Sequence, residues 1–249
     1  ACSSSAVALG EAYRAILHGY IDAAVVIGAE SFLTVGSFAA WNSLRVMAKP
    51  DPQNFEASCK PFDKERSGFV LGEGAAAIVL ERSDLAAQRS AKTYGQLVGY
   101  GCSSDASHIT LPSKEGQVAA IGQALAECGL NPEDIRYINA HGTATAAGDV
   151  TETESIRQTF GAHAQRLAMS STKSMHGHLI GAGGALEFAV SIKAMVSGSL
   201  PPTANLRSPD PQCDLDYVPL HARHGQDIPA VMSNSFAFGG CNVALVAQR

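Results

Sequence analysis

Short apolar runs alternate with longer amphipathic stretches along this chain, and this alternation restricts the fold more than any other feature of the sequence. The runs AAVVIGAE (23–30) and GAAAIVLE (74–81) predict buried strands. Residues 3–20, by contrast, place their apolar side chains largely on one face of a helix. Strands separated by helices in this way are typical of α/β proteins. With 249 residues, 46% of them hydrophobic, the chain is long enough to bury one large core or two small ones.

The second half of the chain continues the alternation. Its predicted elements are a strand at 95–101, a helix at 114–129, a strand that delivers His141, helices at 149–161 and 184–198, and a strand–turn–strand unit at 230–248. Residues 31–72 are a long polar, glycine-containing segment in which 49–69 predict a surface loop, and the polar segment 83–94 predicts a join between two halves. We therefore expect one domain over 1–94 and a second over 95–249.

Charge and composition exclude several functional classes. The formal net charge is -5 and no basic block occurs, which argues against a nucleic-acid surface. No apolar run approaches the roughly 20 residues of a membrane-spanning helix, so no membrane span is expected. The six cysteines are scattered, with no CxxC pair and no Cys/His zinc spacing. They predict reduced thiols in a cytoplasmic protein, with no disulfide framework and no metal site.

The opening residues ACSSS place Cys2 at the start of the first predicted helix. A thiol at that position feels the positive end of the helix dipole and nearby amide donors, which lower the pKa of the thiol and favour the thiolate. The same amides are able to hold the oxyanion of an acyl carbonyl. The alternative interpretation is a small buried hydrophobe near a terminus, and these five residues alone do not decide between the two.

Two histidine motifs favour the interpretation of Cys2 as a nucleophile. The motif NAHGTATAAGD places His141 at the end of an apolar strand, and STKSMHGHLIGAGGALE places His178 in a tight turn bounded by glycines. Glycines at such positions expose an imidazole to a close ligand, whereas a single histidine is more often structural. A metal-binding pair of His176 and His178 is the alternative, but no carboxylate or further histidine stands at ligand spacing in that turn. Together with Cys2, His141 and His178 form a candidate catalytic set.

The segment SNSFAFGGCN adds a third element. Its Gly239–Gly240 pair follows a strand and indicates a mobile loop beside a site, where Phe238 is placed to control entry. An ordinary strand–turn–strand unit has the same pattern, so the segment is weak evidence by itself. The run GAGGALE at 181–187 lacks the spacing of a dinucleotide-binding loop, which excludes that interpretation.

These motifs, in this order and spacing, resemble the β-ketoacyl-acyl-carrier-protein synthases of the thiolase-like fold. The resemblance rests on ACSSS, PFDKERSGFVLGEGAAAIVLE, AHGTATAAGD, STKSMHGHLIGAGGALE and SNSFAFGGCN, and covers essentially the whole chain. The motifs are most similar to the elongating bacterial type II enzymes, and polyketide ketosynthase domains rank second. The resemblance implies a layered α-β-α-β-α fold of two βαβαβαββ halves. We expect 1–94 to be the rest of an incomplete first half, from the nucleophile onward, and 95–249 to be the second half.

The resemblance also implies a reaction, the decarboxylative Claisen condensation of fatty acid or related polyketide elongation. Cys2 is then the residue that accepts the acyl group. His141 and His178 are expected to hold the malonyl thioester carbonyl and the enolate that remains after loss of CO2. The amides of Cys2 and Phe238 are expected to form the oxyanion hole.

Supporting roles follow from the same resemblance. Thr143 and Thr145 are expected to contact the pantetheine arm of the substrate. Lys173 and Glu187 are candidates for orienting the histidines, and a buried ion pair with a purely structural role is the equal alternative. No metal and no cofactor of the chain's own is required, because the phosphopantetheine is carried by the partner acyl carrier protein. A homodimer is expected.

Two residues depart from the family's pattern. Ala237 stands where glycine is frequent, and alanine would cost about 1 kcal/mol there if the backbone required a positive φ. Cys241 stands where threonine or serine is common. Three other functions stay open: a non-catalytic ketosynthase-like partner subunit, a polyketide ketosynthase domain fragment, and a thiolase-like acyltransferase that does not decarboxylate its substrate.

Overall fold

The computed structural model describes residues 1–249, which form helices on either side of a central sheet. The α-helices are α1 (Ser4–Leu17), α2 (Val35–Ser43), α3 (Ser83–Gln88), α4 (Lys114–Cys128), α5 (Ala146–Phe160), α6 (Lys173–His176) and α7 (Gly183–Ser197). The strands are β1 (Ala23–Glu30), β2 (Gly74–Glu81), β3 (Gln96–Ser104), β4 (Ile135–Asn139), β5 (Ala168–Ser170), β6 (Ala230–Phe236) and β7 (Cys241–Gln248). The helices and strands predicted from the periodicity are all present, with boundaries shifted by a few residues.

Two separate sheets organise the chain. Strands β1 and β2 form an antiparallel pair, and the other five strands form a mixed sheet in the order β3–β7–β6–β4–β5. In the larger sheet β4 runs parallel to β5 and β6, whereas β7 is antiparallel to both β3 and β6. Every residue of β6 is buried, as expected of a central strand covered on both faces.

Helices cover both faces of the five-stranded sheet. On one face α4 packs on β3 and β7, and α5 packs on α4, so that Ile121, Ile156 and Phe160 join one core. On the other face α1 and α7 lie between this sheet and β1–β2, where Leu9 and Phe188 belong to a second core. The predicted layered α/β fold is confirmed, and four of its five expected layers are present.

Close packing of α1 on α7 brings the N-termini of these two helices together. A Cβ placed on Gly184 would lie only 2.8 Å from the Cβ of Ala6, so the helices touch through small residues. The hydroxyl of Ser5 accepts a 2.9 Å hydrogen bond from the amide of Ala185. The residues that precede each helix, Cys2 and His178, are therefore placed at one end of this helix pair.

The structure differs from the sequence-based expectation in the first half. Strands β1 and β2 are apolar but only one face packs on α1 and α7, so Val25, Ile27 and Val79 are 63%, 64% and 71% exposed. The prediction that these strands are buried is therefore wrong for one of their two faces. The polar segment 31–72 contains α2, which has no buried residue and hence no apolar stripe for the periodicity to detect. The surface loop predicted at 49–69 is wrong for its second part, because Cys59, Phe62 and Phe69 are buried.

One helical stretch, Ile180–Ser197, is long and apolar enough to cross a membrane by length and composition. The expectation that no such run exists is corrected, because the stretch keeps a high mean hydropathy despite Glu187 and Lys193. More than half of it is buried inside the protein, where α7 contacts α1 and β6. A buried core helix has the same composition as a membrane span, so this segment is weak evidence for one.

Candidate active site

Cys2 lies two residues before the start of α1 and is buried, with 6% of its surface exposed. It packs in a small apolar cluster with Phe69, Ile180 and Ala237. The backbone amides of Phe238 and of Cys2 itself lie close enough to the Cys2 thiol to lower its pKa. Two amides that converge on one sulfur form the donor pair that a tetrahedral oxyanion needs.

Burial dominates the acidity of this thiol. It raises the pKa of Cys2 above its ordinary value, against the opposing effects of the Lys173 charge and the two amides. The sequence-based expectation of a lowered pKa is therefore corrected, because the helix start is enclosed by apolar side chains and is not open to solvent. Cys2 is a protonated thiol at rest, and its proton must leave when the sulfur attacks a carbonyl.

His141 follows β4, in a loop held by carboxylates from α5. Glu152 accepts the amide of His141 at 2.9 Å through Oε1 and the amide of Gly142 at 2.8 Å through Oε2. Asp149 accepts the amide of Ala144, a residue with a φ of 64°, at 3.1 Å. These two buried carboxylates satisfy amides that a glycine-containing turn would otherwise leave unpaired, and so they fix the position of the imidazole.

His178 lies in the turn between α6 and α7 and faces His141. The two imidazole rings stand edge to face, with centroids 5.5 Å apart and planes at 84°. The amide of His178 donates to the Val70 carbonyl at 2.7 Å, and its ring meets Phe69 edge-on at 5.3 Å. The backbone of His178 is therefore anchored to the segment between α2 and β2, and its ring is clamped between two other rings.

Both histidines are neutral at physiological pH. Burial lowers the pKa of His141 and of His178 well below the ordinary value, and the Lys173 charge lowers both further. Lys173 Nζ lies 2.5 Å from Glu187 Oε1, and both side chains are 1% exposed. Burial raises the pKa of Glu187 to about 7, although Lys173 opposes this rise. The Lys173 charge of this ion pair thus lowers the pKa of both histidines.

No hydrogen bond joins the ion pair to either imidazole. The Nδ1 atoms of His141 and His178 are buried and have no hydrogen-bond partner. The idea that Lys173 and Glu187 fix the ring tautomers by direct hydrogen bonds is therefore not supported. Neither Lys173 nor Glu187 lines the cavity that contains Cys2, His141 and His178.

A cavity of about 220 Å³ connects the predicted site residues. Its walls include Cys2, His141, Thr143, Thr145, His178 and Phe238. The hydroxyls of Thr143 and Thr145 lie 3.1 Å apart on one wall, where they are available to a polar ligand. One cavity is thus lined by a thiol, two neutral imidazoles and two hydroxyls, which suits a thioester with a polar arm.

The hairpin between β6 and β7 carries Phe238. Its turn is closed by hydrogen bonds from Ala237 to the Cys241 carbonyl at 2.9 Å and from Gly240 to the Ala237 carbonyl at 3.0 Å. Gly239 and Gly240 have φ of 84° and 78°, whereas Ala237 is not among the residues with positive φ. The strain expected for alanine therefore does not arise, and its methyl group is buried beside Cys2.

Sequence reasoning missed the residues that hold this hairpin and the His141 loop. Asp105 accepts the side-chain amide of Asn242 at 2.6 Å, and its backbone amide donates to Gly240 at 2.9 Å. Glu152 was not predicted as a site residue. It stands one helical turn after Asp149 on the same face of α5, and this spacing indicates that both carboxylates bind the same loop.

His176 takes no part in the cavity. Its ring bonds the Gly177 carbonyl at 2.7 Å and the Thr172 hydroxyl at 3.0 Å. No group of three or more His, Cys, Asp or Glu side chains in the chain is arranged to hold a metal ion.

Comparisons with known proteins agree with this geometry. The family model "Beta-ketoacyl synthase, N-terminal domain" matches residues 1–86, and "Beta-ketoacyl synthase, C-terminal domain" matches residues 94–207. Two curated relatives are the 3-oxoacyl-[acyl-carrier-protein] synthase 2 proteins of Synechocystis sp. and Coxiella burnetii, each 46% identical over the whole chain. The chain spans about 60% of the length of these relatives.

Solved structures show the same similarity. A β-ketoacyl synthase from Burkholderia phymatum is 40% identical with a TM-score of 0.94, and the match covers 100% of this chain and 60% of that one. A type II polyketide ketosynthase, solved in complex with its acyl carrier protein, is 32% identical with a TM-score of 0.96 over 99% of this chain and 61% of that one. The two domain models, the relatives and the folds agree: this chain belongs to the β-ketoacyl synthase family.

Proposed function

We propose that this protein is a 3-oxoacyl-[acyl-carrier-protein] synthase, which joins an acyl group held on Cys2 to a malonyl thioester with loss of CO2. One observation carries the proposal: Cys2, His141 and His178 line a single cavity. A thiol with two amides on its sulfur suits acyl transfer, and two neutral imidazoles suit a developing enolate.

The first half-reaction transfers the acyl group. The Cys2 sulfur attacks the carbonyl carbon of the acyl thioester, and the amides of Cys2 and Phe238 hold the oxyanion. The carbon–sulfur bond to the carrier then breaks, and the carrier leaves as a thiol that takes up the proton lost from Cys2. A neutral imidazole in the same cavity has one unprotonated ring nitrogen, which is able to accept that proton in passing.

The second half-reaction forms the new carbon–carbon bond. His141 and His178 donate hydrogen bonds to the carbonyl oxygen of the malonyl thioester, and the carboxylate leaves as CO2 with its bonding electrons on the α-carbon. The enolate attacks the carbonyl carbon of acyl-Cys2. The tetrahedral adduct expels the Cys2 thiolate, which regains a proton, and a 3-oxoacyl thioester is released.

Supporting roles complete the site. Thr143 and Thr145 contact the pantetheine arm, supported by their hydroxyls on the cavity wall. Lys173 and Glu187 keep both histidines neutral by placing a buried cation nearby. The phosphopantetheine is part of the carrier, and the chain needs no cofactor of its own.

The partners and the setting of the protein belong to the same proposal. An acyl carrier protein delivers both thioesters, supported by the related ketosynthase solved with its carrier. A homodimer is proposed from family membership, and a cytoplasmic location is supported by six free cysteines. The division into domains 1–94 and 95–249 is supported by the two separate sheets, whose strands lie on either side of residue 94.

Fatty acid elongation is favoured over polyketide synthesis. Curated relatives at 46% identity are 3-oxoacyl-[acyl-carrier-protein] synthases, whereas the polyketide ketosynthase with its carrier is 32% identical. A non-catalytic partner subunit would have no need of the Cys2 thiol and its two amides.

The test separates the two half-reactions. The full chain is incubated with an acyl-carrier-protein thioester, and the intact mass is measured with Cys2→Ala as control. We expect an acyl adduct that maps to the Cys2 peptide and is missing from the control. Added malonyl thioester should then release CO2 and a 3-oxoacyl product.

Each negative result has a distinct meaning. A folded protein without an adduct contradicts the proposed function and leaves the partner-subunit interpretation. An adduct without CO2 release identifies an acyltransferase that does not decarboxylate.

A further inference from the structure

Two free cysteines, Cys102 on β3 and Cys241 at the start of β7, lie on the same face of the five-stranded sheet. Both side chains are half-buried, and both pack against the core on the α1 and α7 side of this sheet. In the antiparallel pairing of β3 with β7, Cys102 stands opposite Val243, whereas Cys241 stands opposite Ser104. The two cysteines are therefore diagonal neighbours on one face of the strand pair.

The acidity of Cys102 gives separate evidence that the two thiols are close together. Burial raises the pKa of the Cys102 thiol, and Cys241 lies close enough to raise that pKa further, whereas the Tyr100 side chain lowers it. Cys241 also stands where threonine or serine is common in the family. A hydroxyl at that position is unable to form a disulfide, so the thiol pair is a feature of this chain.

A disulfide between these residues requires a small movement of the backbone. Diagonal neighbours in an antiparallel pair stand about 7–8 Å apart, whereas a disulfide holds its Cα atoms at about 4.4–6.8 Å. Cys241 pairs with Ser104 at the last position of the β3–β7 ladder, directly after the Gly239–Gly240 turn. Closing the bridge therefore draws the start of β7 towards β3.

This movement would reach the active site through the β6–β7 hairpin. The Cys241 carbonyl accepts the amide of Ala237 at 2.9 Å, and the turn that this bond closes carries Phe238. The Phe238 amide is one of the two donors beside the Cys2 thiol. A displacement of Cys241 is thus transmitted to the proposed oxyanion hole.

We propose that Cys102 and Cys241 form a redox-sensitive pair, whose disulfide displaces the β6–β7 hairpin and slows acyl transfer to Cys2. The slowing of acyl transfer rests on the proposed function, whereas formation of the disulfide does not. In a reducing compartment such a disulfide is temporary and is typical of redox sensing.

The bridge needs an oxidant, for which a peroxide is sufficient. The sulfur of one thiol attacks an oxygen of hydrogen peroxide and the O–O bond breaks, which leaves a sulfenic acid and one water. The sulfur of the second thiol then attacks the sulfenic sulfur, the S–O bond breaks, and a second water leaves. The two thiols lose two protons and two electrons, and the peroxide is reduced to two waters.

Peptide mapping tests whether the bridge forms. The full chain is reduced, freed of reductant, treated with hydrogen peroxide and blocked with N-ethylmaleimide before non-reducing digestion. We expect a linked peptide that contains Cys102 and Cys241, is two hydrogen atoms lighter than the separate peptides, and disappears with dithiothreitol. Cys102→Ser should not form this bridge. Cys128→Ser is the matched control, because it removes a half-buried thiol that packs against the other core, and should keep the bridge.

Two rates at Cys2 test whether the bridge acts on the site. Acylation by an acyl-carrier-protein thioester and alkylation by iodoacetamide are each measured in the reduced and in the oxidised protein. We expect the bridge to slow acylation by about 10- to 100-fold, because a misplacement of about 1 Å in a catalytic site costs up to about 100-fold. Displacement of the hairpin should also change the alkylation rate. In Cys102→Ser, the loss should not exceed the part due to oxidation of Cys2 itself, which the peptide map measures.

Several results would overturn the inference. Cys241 also packs against the cluster that contains Cys2, so a disulfide between these two residues is the alternative bridge, and its formation contradicts the proposed pair. The absence of any linked peptide does the same, and so does a Cys102–Cys241 bridge that leaves both rates at Cys2 unchanged. If Cys102→Ser does not fold, Cys241→Ser takes its place.

The two readouts separate this inference from the proposed function. A reduced protein that forms no acyl adduct contradicts the proposed function. A bridge that changes the alkylation rate at Cys2 supports the redox-sensitive pair in that protein as well. An acyl adduct in a protein that forms no bridge has the opposite meaning.

Discussion

His141 stands edge-on to His178, with the two imidazole centroids 5.5 Å apart, and both rings lie beside the buried charge of Lys173. Two histidines so close together in a dry site are unable to carry two positive charges at neutral pH. The pair is therefore held in the neutral form, in which each ring has one N–H to donate and one nitrogen to accept.

Removing the buried cation should raise the pKa of both histidines. The double variant Lys173→Met with Glu187→Gln removes both charges, so that no carboxylate is left unpaired. Because a positive charge disfavours a protonated imidazole, its loss should move the titration of His141 and His178 to higher pH. Histidine Cε1–H signals followed by NMR between pH 4 and 8 measure this shift. The exposed Lys193→Met is the control, and equal midpoints in all three proteins would show that the Lys173 charge does not reach the rings.

Acid should destabilise the fold through His176. Burial lowers the pKa of His176 to about 4, so between pH 6.5 and 4 the unfolded chain binds a proton that the folded protein does not. The free energy of unfolding should therefore fall as pH falls through this window, by about 2 kcal/mol at pH 5 for this one group. Urea unfolding at pH 7 and pH 5 measures the loss. His176→Gln should reduce it, whereas the exposed His221→Gln should not.

Cys2 should react slowly with iodoacetamide at neutral pH. Since burial raises the pKa of its thiol, the alkylation rate at Cys2 should keep rising past pH 9. Peptide mapping of the alkylated protein between pH 6 and 10 gives the rate at each cysteine. An alkylation rate at Cys2 that reaches a plateau near pH 7 would instead mean that the helix start and Lys173 lower the pKa of the thiol more than burial raises it.

Glu152 should be necessary for the position of His141. Both of its carboxylate oxygens accept backbone amides, so Glu152→Gln places an N–H against an N–H and leaves a donor unpaired. We expect a loss of about 1–3 kcal/mol in the free energy of unfolding, together with reduced CO2 release from malonyl thioester. Glu154→Gln, on the exposed face of the same helix, is the control and should change neither quantity.

Ala237→Gly should destabilise the β6–β7 hairpin. Ala237 has an ordinary negative φ and a buried methyl group, so glycine adds freedom to the unfolded chain and removes a contact beside Cys2. A loss of about 0.5–1 kcal/mol is expected, measured by urea unfolding. A more stable Ala237→Gly protein would mean that the alanine is strained after all.

The sequence predicted the elements that carry the site because their signals are local. A helix start marks Cys2, and strand ends or glycine-bounded turns mark His141 and His178. Burial was harder to predict from the sequence. The strands at 23–30 and 74–81 are apolar throughout, which does not show that one of their faces is exposed. The pKa of Cys2 was misjudged for the same reason: the side chains that enclose it come from distant parts of the chain.

Long-range contacts account for the residues that were missed. Asp105 meets Asn242 across 137 positions of sequence, and Trp41 reaches Phe238 from a helix that shows no amphipathic pattern. No periodicity or motif predicts such contacts, because the local sequence around each of the two residues is not distinctive.

The two-stranded sheet β1–β2 has a consequence for how this polypeptide behaves at high concentration. Each of its strands has one edge with unpaired amides and carbonyls, and Val25, Ile27 and Val79 stand exposed on its outer face. An unpaired edge beside an apolar surface is a template onto which another strand adds. The edges of β1–β2, on the opposite side of α1 and α7 from the five-stranded sheet, are therefore where this chain is expected to pair with a further strand.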